Sequence, residues 1–289
     1  MPGEDDEMVA NPVGPSGPLP GHGRRRGASH SRRVRRHRLA AGVLALVVVL
    51  TAVWGLRLWH LRGEVAADRS YWSRVASQPA RPNALRYVAL GDSAAQAIGA
   101  SNPQHAYVSL IAAGLQATTG RPVRIINISR SGARVDDVLR DQVPQLAGLH
   151  PDFITVDVGG NDVRHYRAAD WTSGAGALCA KVPAGRSIVA GVPWFMHGYW
   201  ENDARQARAV LVRDCGQDGV AVAPLAASSE SHGWVGMFTL YAADWFHPNN
   251  RGHRLWADAL WKTAESTPGL IHQVEGPGQP THTTVGTSR

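Results

Sequence analysis

The sequence predicts an α/β protein, a three-layer α/β/α sandwich on a five-stranded, mostly parallel sheet, preceded by one transmembrane helix. Three observations carry that expectation. Apolar runs alternate with helical patterns along residues 84–268. The runs are apolar at nearly every position, as strands covered on both faces are. Ahead of them lies the uncharged stretch 39–56, rich in Leu, Val and Ala, and about 20 such residues suffice for a helix to cross a bilayer's hydrocarbon core.

Residues 1–38 read as a disordered basic tail. Pro, Gly and Arg dominate it, a short acidic run (Glu4, Asp5, Asp6, Glu7) interrupts it, and it has no apolar periodicity. The net charge of +7 first points to nucleic acid. However, Arg24, Arg25, Arg26, Arg32, Arg33, Arg35, Arg36 and Arg38 crowd ahead of Leu39, and the rest of the chain is close to balance. The basicity belongs to the tail, so no nucleic-acid partner is expected. Arginine on this flank predicts a cytoplasmic N-terminus, with everything after 39–56 outside the cell membrane. A cleaved signal peptide fits less well. The apolar stretch exceeds a usual h-region, and the small-residue site Val65-Ala66-Ala67 lies beyond Arg57, Arg62 and Glu64. Trp54 and Trp59 suit an aromatic belt at the outer interface, whereas Tyr71 and Trp72 suit core packing equally well. Residues 57–83 read as a helical or irregular stalk. Residues 269–289, rich in Gly, Pro, Thr and Ser towards the end, read as a flexible tail.

Within 84–268, strands are expected at 86–90, 123–128, 153–158, 187–192 and 220–225. Helices are expected at 105–119, 135–146, 201–213 and 252–264. Val108, Ile111, Ala112 and Leu115 share one helical face, and Val135, Val138, Leu139 and Val143 share another. Right-handed crossovers then give the three layers. Residues 163–186 show no regular pattern.

In such sheets functional groups collect beyond the C-terminal ends of the strands. Gly91-Asp92-Ser93 follows the first strand. Gly permits a sharp turn, and a Ser opening the next helix has its hydroxyl beside amides that favour developing negative charge. Alone, the tripeptide reads more readily as a helix N-cap. Ser129-Arg130-Ser131-Gly132-Ala133 follows the second strand and is, alone, an ordinary loop able to present a backbone N–H. Gly159-Gly160-Asn161-Asp162 follows the third. It allows close approach of a ligand and offers the Asn161 amide, although tight turns use the same residues. Asp244-Trp245-Phe246-His247-Pro248 sets a carboxylate three residues before an imidazole. An imidazole needs such an acceptor on one nitrogen to take a hydroxyl proton on the other.

In this order the four segments resemble the SGNH hydrolase superfamily, the GDSL lipases and esterases, over roughly residues 86–264. The resemblance implies a flavodoxin-like SGNH fold with Ser93 as nucleophile, His247 as base and Asp244 as the acid that orients it. It implies an oxyanion hole from the Ser93 and Gly132 amides and the Asn161 side chain. The second segment matches only around Gly132. The implied activity is hydrolysis of a carboxylic ester through an acyl-enzyme, and the anchor places that activity at the cell envelope. Acyl or acetyl transfer to an envelope sugar, or its deacetylation, would use the same triad. A catalytically silent envelope-binding module is the reading from another class, and it has no need of all five residues. Low lysine with abundant arginine and alanine suggests a GC-rich bacterial genome, and the resemblance is nearest to actinobacterial members.

No metal or cofactor is expected, since no HExxH, Walker or dinucleotide motif is present. Cys179 and Cys215 allow one pairing. Outside the membrane they are expected to form a disulfide worth about 3–4 kcal/mol on the loop-entropy model, the alternative being two unrelated buried thiols.

Overall fold

The computed structural model describes residues 27–195 and 199–271. Residues 1–26 of the expected basic tail and 272–289 of the expected C-terminal tail lie outside the described residues. Five parallel strands form one sheet in the order β2-β1-β3-β4-β5. They are β1 (Leu85–Gly91), β2 (Val123–Asn127), β3 (Phe153–Asp157), β4 (Ser187–Ala190) and β5 (Ala221–Ala223).

Both faces of the sheet are buried. Tyr87 and Ala89 of β1 face one core, completed by Ile111 and Leu115 of α2 (Tyr107–Thr119) and by Trp256 and Leu260 of α10 (Asn250–Ser266). Val88 and Leu90 face the other, with Ile154, Val156, Leu178 of α6 (Ala168–Lys181) and Leu211 of α7 (Tyr199–Gln217). Each such aliphatic side chain contributes about 1.5–3 kcal/mol by leaving water. The two central strands end level, Gly91 opposite Asp157, so the segments that follow them emerge side by side. The α6–α7 pair is joined by a disulfide between Cys179 and Cys215.

Several helices differ from expectation. The span 135–146 is not one helix. It runs as α3 (Val135–Asp137), a π turn over Val138–Gln142, a 3₁₀ turn over Val143–Gln145 and α4 (Leu146–Leu149). Region 163–186 is mostly regular, because α6 lies there, preceded by α5 (Gly160–Val163). Two further short helices, α8 (Leu225–Glu230) and α9 (Gly233–Thr239), precede the last strand-like turn. Leu270 is buried in the α2/α10 core, so the body continues past residue 268.

A single helix, α1 (Gly27–Ser77), contains the apolar stretch, which is long and apolar enough to cross a membrane and has none of its window buried. It starts at Gly27, so residues 27–38, expected to be disordered, are helical. The chain falls into two units, one ending at Val53 and one beginning at Trp54. Within the second, residues 54–77 are not a stalk standing apart. Trp54 Nε1 donates to the Ala243 carbonyl at 2.8 Å. The Gly99 amide donates to Glu64 Oε2 at 3.0 Å. Trp72 is buried, and its Nε1 donates to the Gln96 carbonyl at 2.8 Å, supplying the partner a buried indole N–H requires. Arg124 Nη2 donates to the Ala76 carbonyl at 3.1 Å. This half of α1 is a structural part of the hydrolase body.

Candidate active site

The turn after β1 is fixed from two sides. Gly91 has φ +135°, and a Cβ there would lie 2.0 Å from the Asp157 carbonyl oxygen, so no other residue fits. Gln142 clamps the same residue: its Oε1 accepts from the Gly91 amide at 2.8 Å, and its Nε2 donates to the Gly91 carbonyl at 2.9 Å. The π turn that ends at Gln142 thus belongs to the site, where such turns often occur. Ser93 does not open a helix, contrary to expectation. Residues 92–100 form consecutive turns, with Ile98 N donating to the Ser93 carbonyl at 3.0 Å, and after a 3₁₀ turn over Pro103–His105 the next α-helix begins at Tyr107. Asp92 closes the first turn by accepting from Ala94 N at 3.0 Å.

His253 of α10 holds the far end of these turns. Its Nδ1 accepts from Tyr107 N at 3.4 Å and its Nε2 donates to the Ile98 carbonyl at 3.3 Å. Burial drives its pKa down to about 3, which keeps the ring neutral in this arrangement.

The second segment lies against the same turns. Arg130 N donates to the Gly91 carbonyl at 3.0 Å, and Ser131 N donates to Gln96 Oε1 at 2.9 Å. Among the described residues neither the Ser93 amide nor the Gly132 amide has an acceptor. From β3, Gly159 turns the chain at φ +123°, where a Cβ would meet Val192 Cγ2 at 2.7 Å, and α5 follows. Asn161 in α5 uses both amide hydrogens: Nδ2 donates to Asp92 Oδ2 at 3.2 Å and to the Ala133 carbonyl at 3.1 Å. Burial raises the neighbouring carboxyls, Asp162 to about 6 and Asp92 and Asp157 likewise upward.

The last segment returns between α9 and α10. An antiparallel bridge pairs Tyr241 with Pro248, and Ala242 N donates to the His247 carbonyl at 2.8 Å. Trp245 takes φ +53° at the tip. Asp244 Oδ1 accepts from the amides of Phe246 and His247, each at 3.1 Å, which aims its other oxygen along the loop. His247 Nδ1 meets Asp244 Oδ2 at 2.5 Å, and His247 Nε2 meets Ser93 Oγ at 2.8 Å. Desolvation pushes the Asp244 carboxyl up, but the hydrogen bond and charge of His247 outweigh it, and the group is held below the usual carboxylate range. A carboxylate, imidazole and hydroxyl so linked can pass a proton from the hydroxyl to the ring as the oxygen attacks.

The structure therefore joins Ser93, His247 and Asp244 in one chain, sets Asn161 against Asp92, and packs the Gly132 loop beside them. Gln142, Gln96 and His253 position the site without any motif in the sequence to mark them. Beside His247 opens a cavity of about 430 Å³, lined by Arg164, Trp194, Phe195, Trp200, Met237, Tyr241 and the 244–247 loop. Among the described residues no group of three or more His, Cys, Asp or Glu is placed to hold a metal ion.

Comparison with known proteins agrees with this geometry. Residues 89–255, more than half of the chain, match the model of the GDSL-like Lipase/Acylhydrolase family. No curated protein matches. Among solved structures, TesA is 23% identical with a TM-score of 0.54, over 62% of this chain and 98% of its own. LAE5, an alpha/beta hydrolase from the metagenome of Lake Arreo, Spain, is 22% identical with a TM-score of 0.52, over 65% and 97%. A variant of Axe2, an acetyl-xylooligosaccharide esterase of Geobacillus stearothermophilus, is 20% identical with a TM-score of 0.51, over 62% and 93%. At these identities the likeness establishes the SGNH hydrolase fold. With the family match over the segments that build the site, the chain belongs to the GDSL-like lipase/acylhydrolase family and is a serine ester hydrolase.

Proposed function

We propose that this protein cleaves a carboxylic ester through an acyl-enzyme on Ser93, outside a membrane that α1 crosses. The observation carrying the chemistry is the unbroken Ser93–His247–Asp244 hydrogen-bond chain. Ser93 Oγ attacks the ester carbon as its proton passes to His247 Nε2. Asp244 holds the Nδ1–H and stabilises the imidazolium. The tetrahedral oxyanion takes the Ser93 and Gly132 amides, which have no acceptor among the described residues, and one N–H that Asn161 gives up from its present partners. Protonated His247 then donates to the departing alcohol oxygen. Water, deprotonated by His247, attacks the acyl-enzyme and frees the acid.

The membrane half of the reading rests on two independent features. The exposed apolar stretch 39–56 follows an arginine cluster, the pattern of a cytoplasmic flank. The Cys179–Cys215 disulfide suits an oxidising compartment beyond that membrane.

The test uses the full chain in detergent micelles with para-nitrophenyl esters of increasing acyl length, comparing wild type with Ser93→Ala after circular dichroism shows that both fold. Loss of at least about 10³-fold in kcat is expected, the scale on which triad members act. A folded Ser93→Ala protein that hydrolyses at the wild-type rate would remove Ser93 from the mechanism.

A further inference from the structure

The cavity beside the triad has one wall made by the Phe246–His247 stretch, and that fixes which half of an ester it can receive. His247 Nε2 must protonate the departing alcohol oxygen, so the alcohol half lies on the imidazole side. The oxyanion donors Gly132 and Asn161 do not line the cavity. Its walls are aromatic: Phe195 packs on Phe246 at 5.9 Å and on Trp200 at 6.3 Å between centroids. Phe246 in turn meets the His247 ring at 5.0 Å.

One cation enters this aromatic wall. The Arg164 guanidinium carbon lies 5.6 Å from the Trp200 ring centroid and 5.5 Å from that of Phe246. Stacking of this kind holds a guanidinium flat while leaving its N–H edge free to bond. Two carboxylates at or next to the cavity lining are engaged elsewhere. Asp244 is committed to His247. Glu201 is ion-paired with Arg208 and accepts from Phe195 N. Among the described residues no carboxylate forms a salt bridge with Arg164. The cavity therefore presents an aromatic wall whose Phe246 ring meets His247 on one side and carries the Arg164 guanidinium on the other, with no carboxylate among the described residues paired to that cation.

We propose that this cavity binds an alcohol half carrying an anionic group, carboxylate or phosphate, which Arg164 pairs with across the ring-binding surface. The inference deepens the ester-hydrolase reading and rests on it for the assignment of the alcohol side. It names a substrate class: esters of acidic alcohols, whether acidic sugars or phosphorylated headgroups.

The experiment has two arms on the full chain in detergent micelles. In the first, kcat/KM is measured for para-nitrophenyl acetate and for para-carboxy-ortho-nitrophenyl acetate, whose carboxylate sits one ring from the ester oxygen. The ratio of anionic to neutral ester should fall about fivefold in Arg164→Gln, in keeping with a partly solvated ion pair. Arg164→Lys should restore part of it, and added salt should shrink the wild-type ratio. An unchanged ratio in Arg164→Gln overturns the proposal. The second arm reads binding alone, by quenching of cavity tryptophan fluorescence in Ser93→Ala with benzoate, phenyl phosphate and neutral benzamide. Either anion should bind severalfold more tightly than benzamide, with the gap closed by adding Arg164→Gln, and the tighter anion identifies the source chemistry. Equal affinities for all three ligands overturn the proposal. If no ester is cleaved while the anions bind through Arg164, the hydrolase reading fails and the anion site stands.

Discussion

Asn161 is the residue whose present contacts and proposed work differ most. Its two N–H groups serve Asp92 and the Ala133 carbonyl, so donation to an oxyanion means exchanging one of these for the substrate. Against the neutral Ala133 carbonyl the developing negative charge is the stronger acceptor, since charge-assisted hydrogen bonds are about twice as strong as neutral ones. Asn161→Ala should lower kcat by about 10²- to 10³-fold with a smaller change in KM, the usual effect of losing one oxyanion donor. Steady-state kinetics on a folded variant checks it, and unaltered kcat would leave Asn161 as a brace for Asp92. Asp244 and His247 were legible as a pair because they lie three residues apart, and the Gly159-Gly160-Asn161-Asp162 turn because its residues are contiguous. Ser93, 154 residues from His247 and alone only a cap candidate, was marked by the order of the four segments and the family resemblance they carry. Gln142, Gln96 and His253 were not. Each acts on a backbone group far along the chain, Gly91, Ser131 or Ile98, and nothing local distinguishes such a side chain from an ordinary helical one.

At the scale of elements, β-strands were the easiest to read, because continuous apolar runs between turn residues leave few alternatives. The helices were harder where tertiary contacts override period. Val135, Val138, Leu139 and Val143 fit one helical face, yet the segment must deliver Gln142 to Gly91 and accommodate Pro144, which has no N–H to give, and it breaks into π and 3₁₀ turns. Helix α6 escaped notice because Ala and Gly fill it. Those small residues allow close packing: a Cβ at Gly174 would lie 2.6 Å from Val135 Cγ1.

Helix α1 carries a titration of its own. Burial, then the charge of Glu64, raises the Asp68 carboxyl to about 7, against about 3.9 in an unfolded chain. The native state holds this proton more tightly, so the stabilisation is complete below about pH 4 and disappears as pH rises through 7. Asp92 and Asp162 act with the same sign. His253, held neutral with a pKa of about 3, acts oppositely between pH 3 and about 6.5. Asp68→Asn should therefore flatten the fall in Tm between pH 5 and 8 and raise Tm at pH 8. Thermal melts across that range decide it. A variant with the wild-type slope would show that Asp68 is ionised in the folded protein.

For the whole molecule, the unexpected feature is where the hydrolase body begins. Sequence alone put its edge at residue 84, since nothing between 57 and 83 looks like sheet or core. The structure puts it at Trp54, because Trp72, Glu64 and Trp54 each satisfy a backbone group of the catalytic turns or their neighbours. A chain starting at residue 84 would lose the buried Trp72, and removal of a core tryptophan costs about 3–5 kcal/mol. It should melt roughly 10 °C or more below a chain starting at Trp54. Differential scanning calorimetry of the two proteins tests this, and equal melting would demote the helix to a passive neighbour.

The helical half that packs on the body also constrains how this gene could change. A freely secreted descendant cannot arise by deleting everything ahead of the first strand, because the Gln96 carbonyl and the Gly99 amide would be left without partners beside the nucleophile. Such a lineage would have to break the helix ahead of Trp54 and keep the remainder, or evolve a new segment to fill the slot of Trp72.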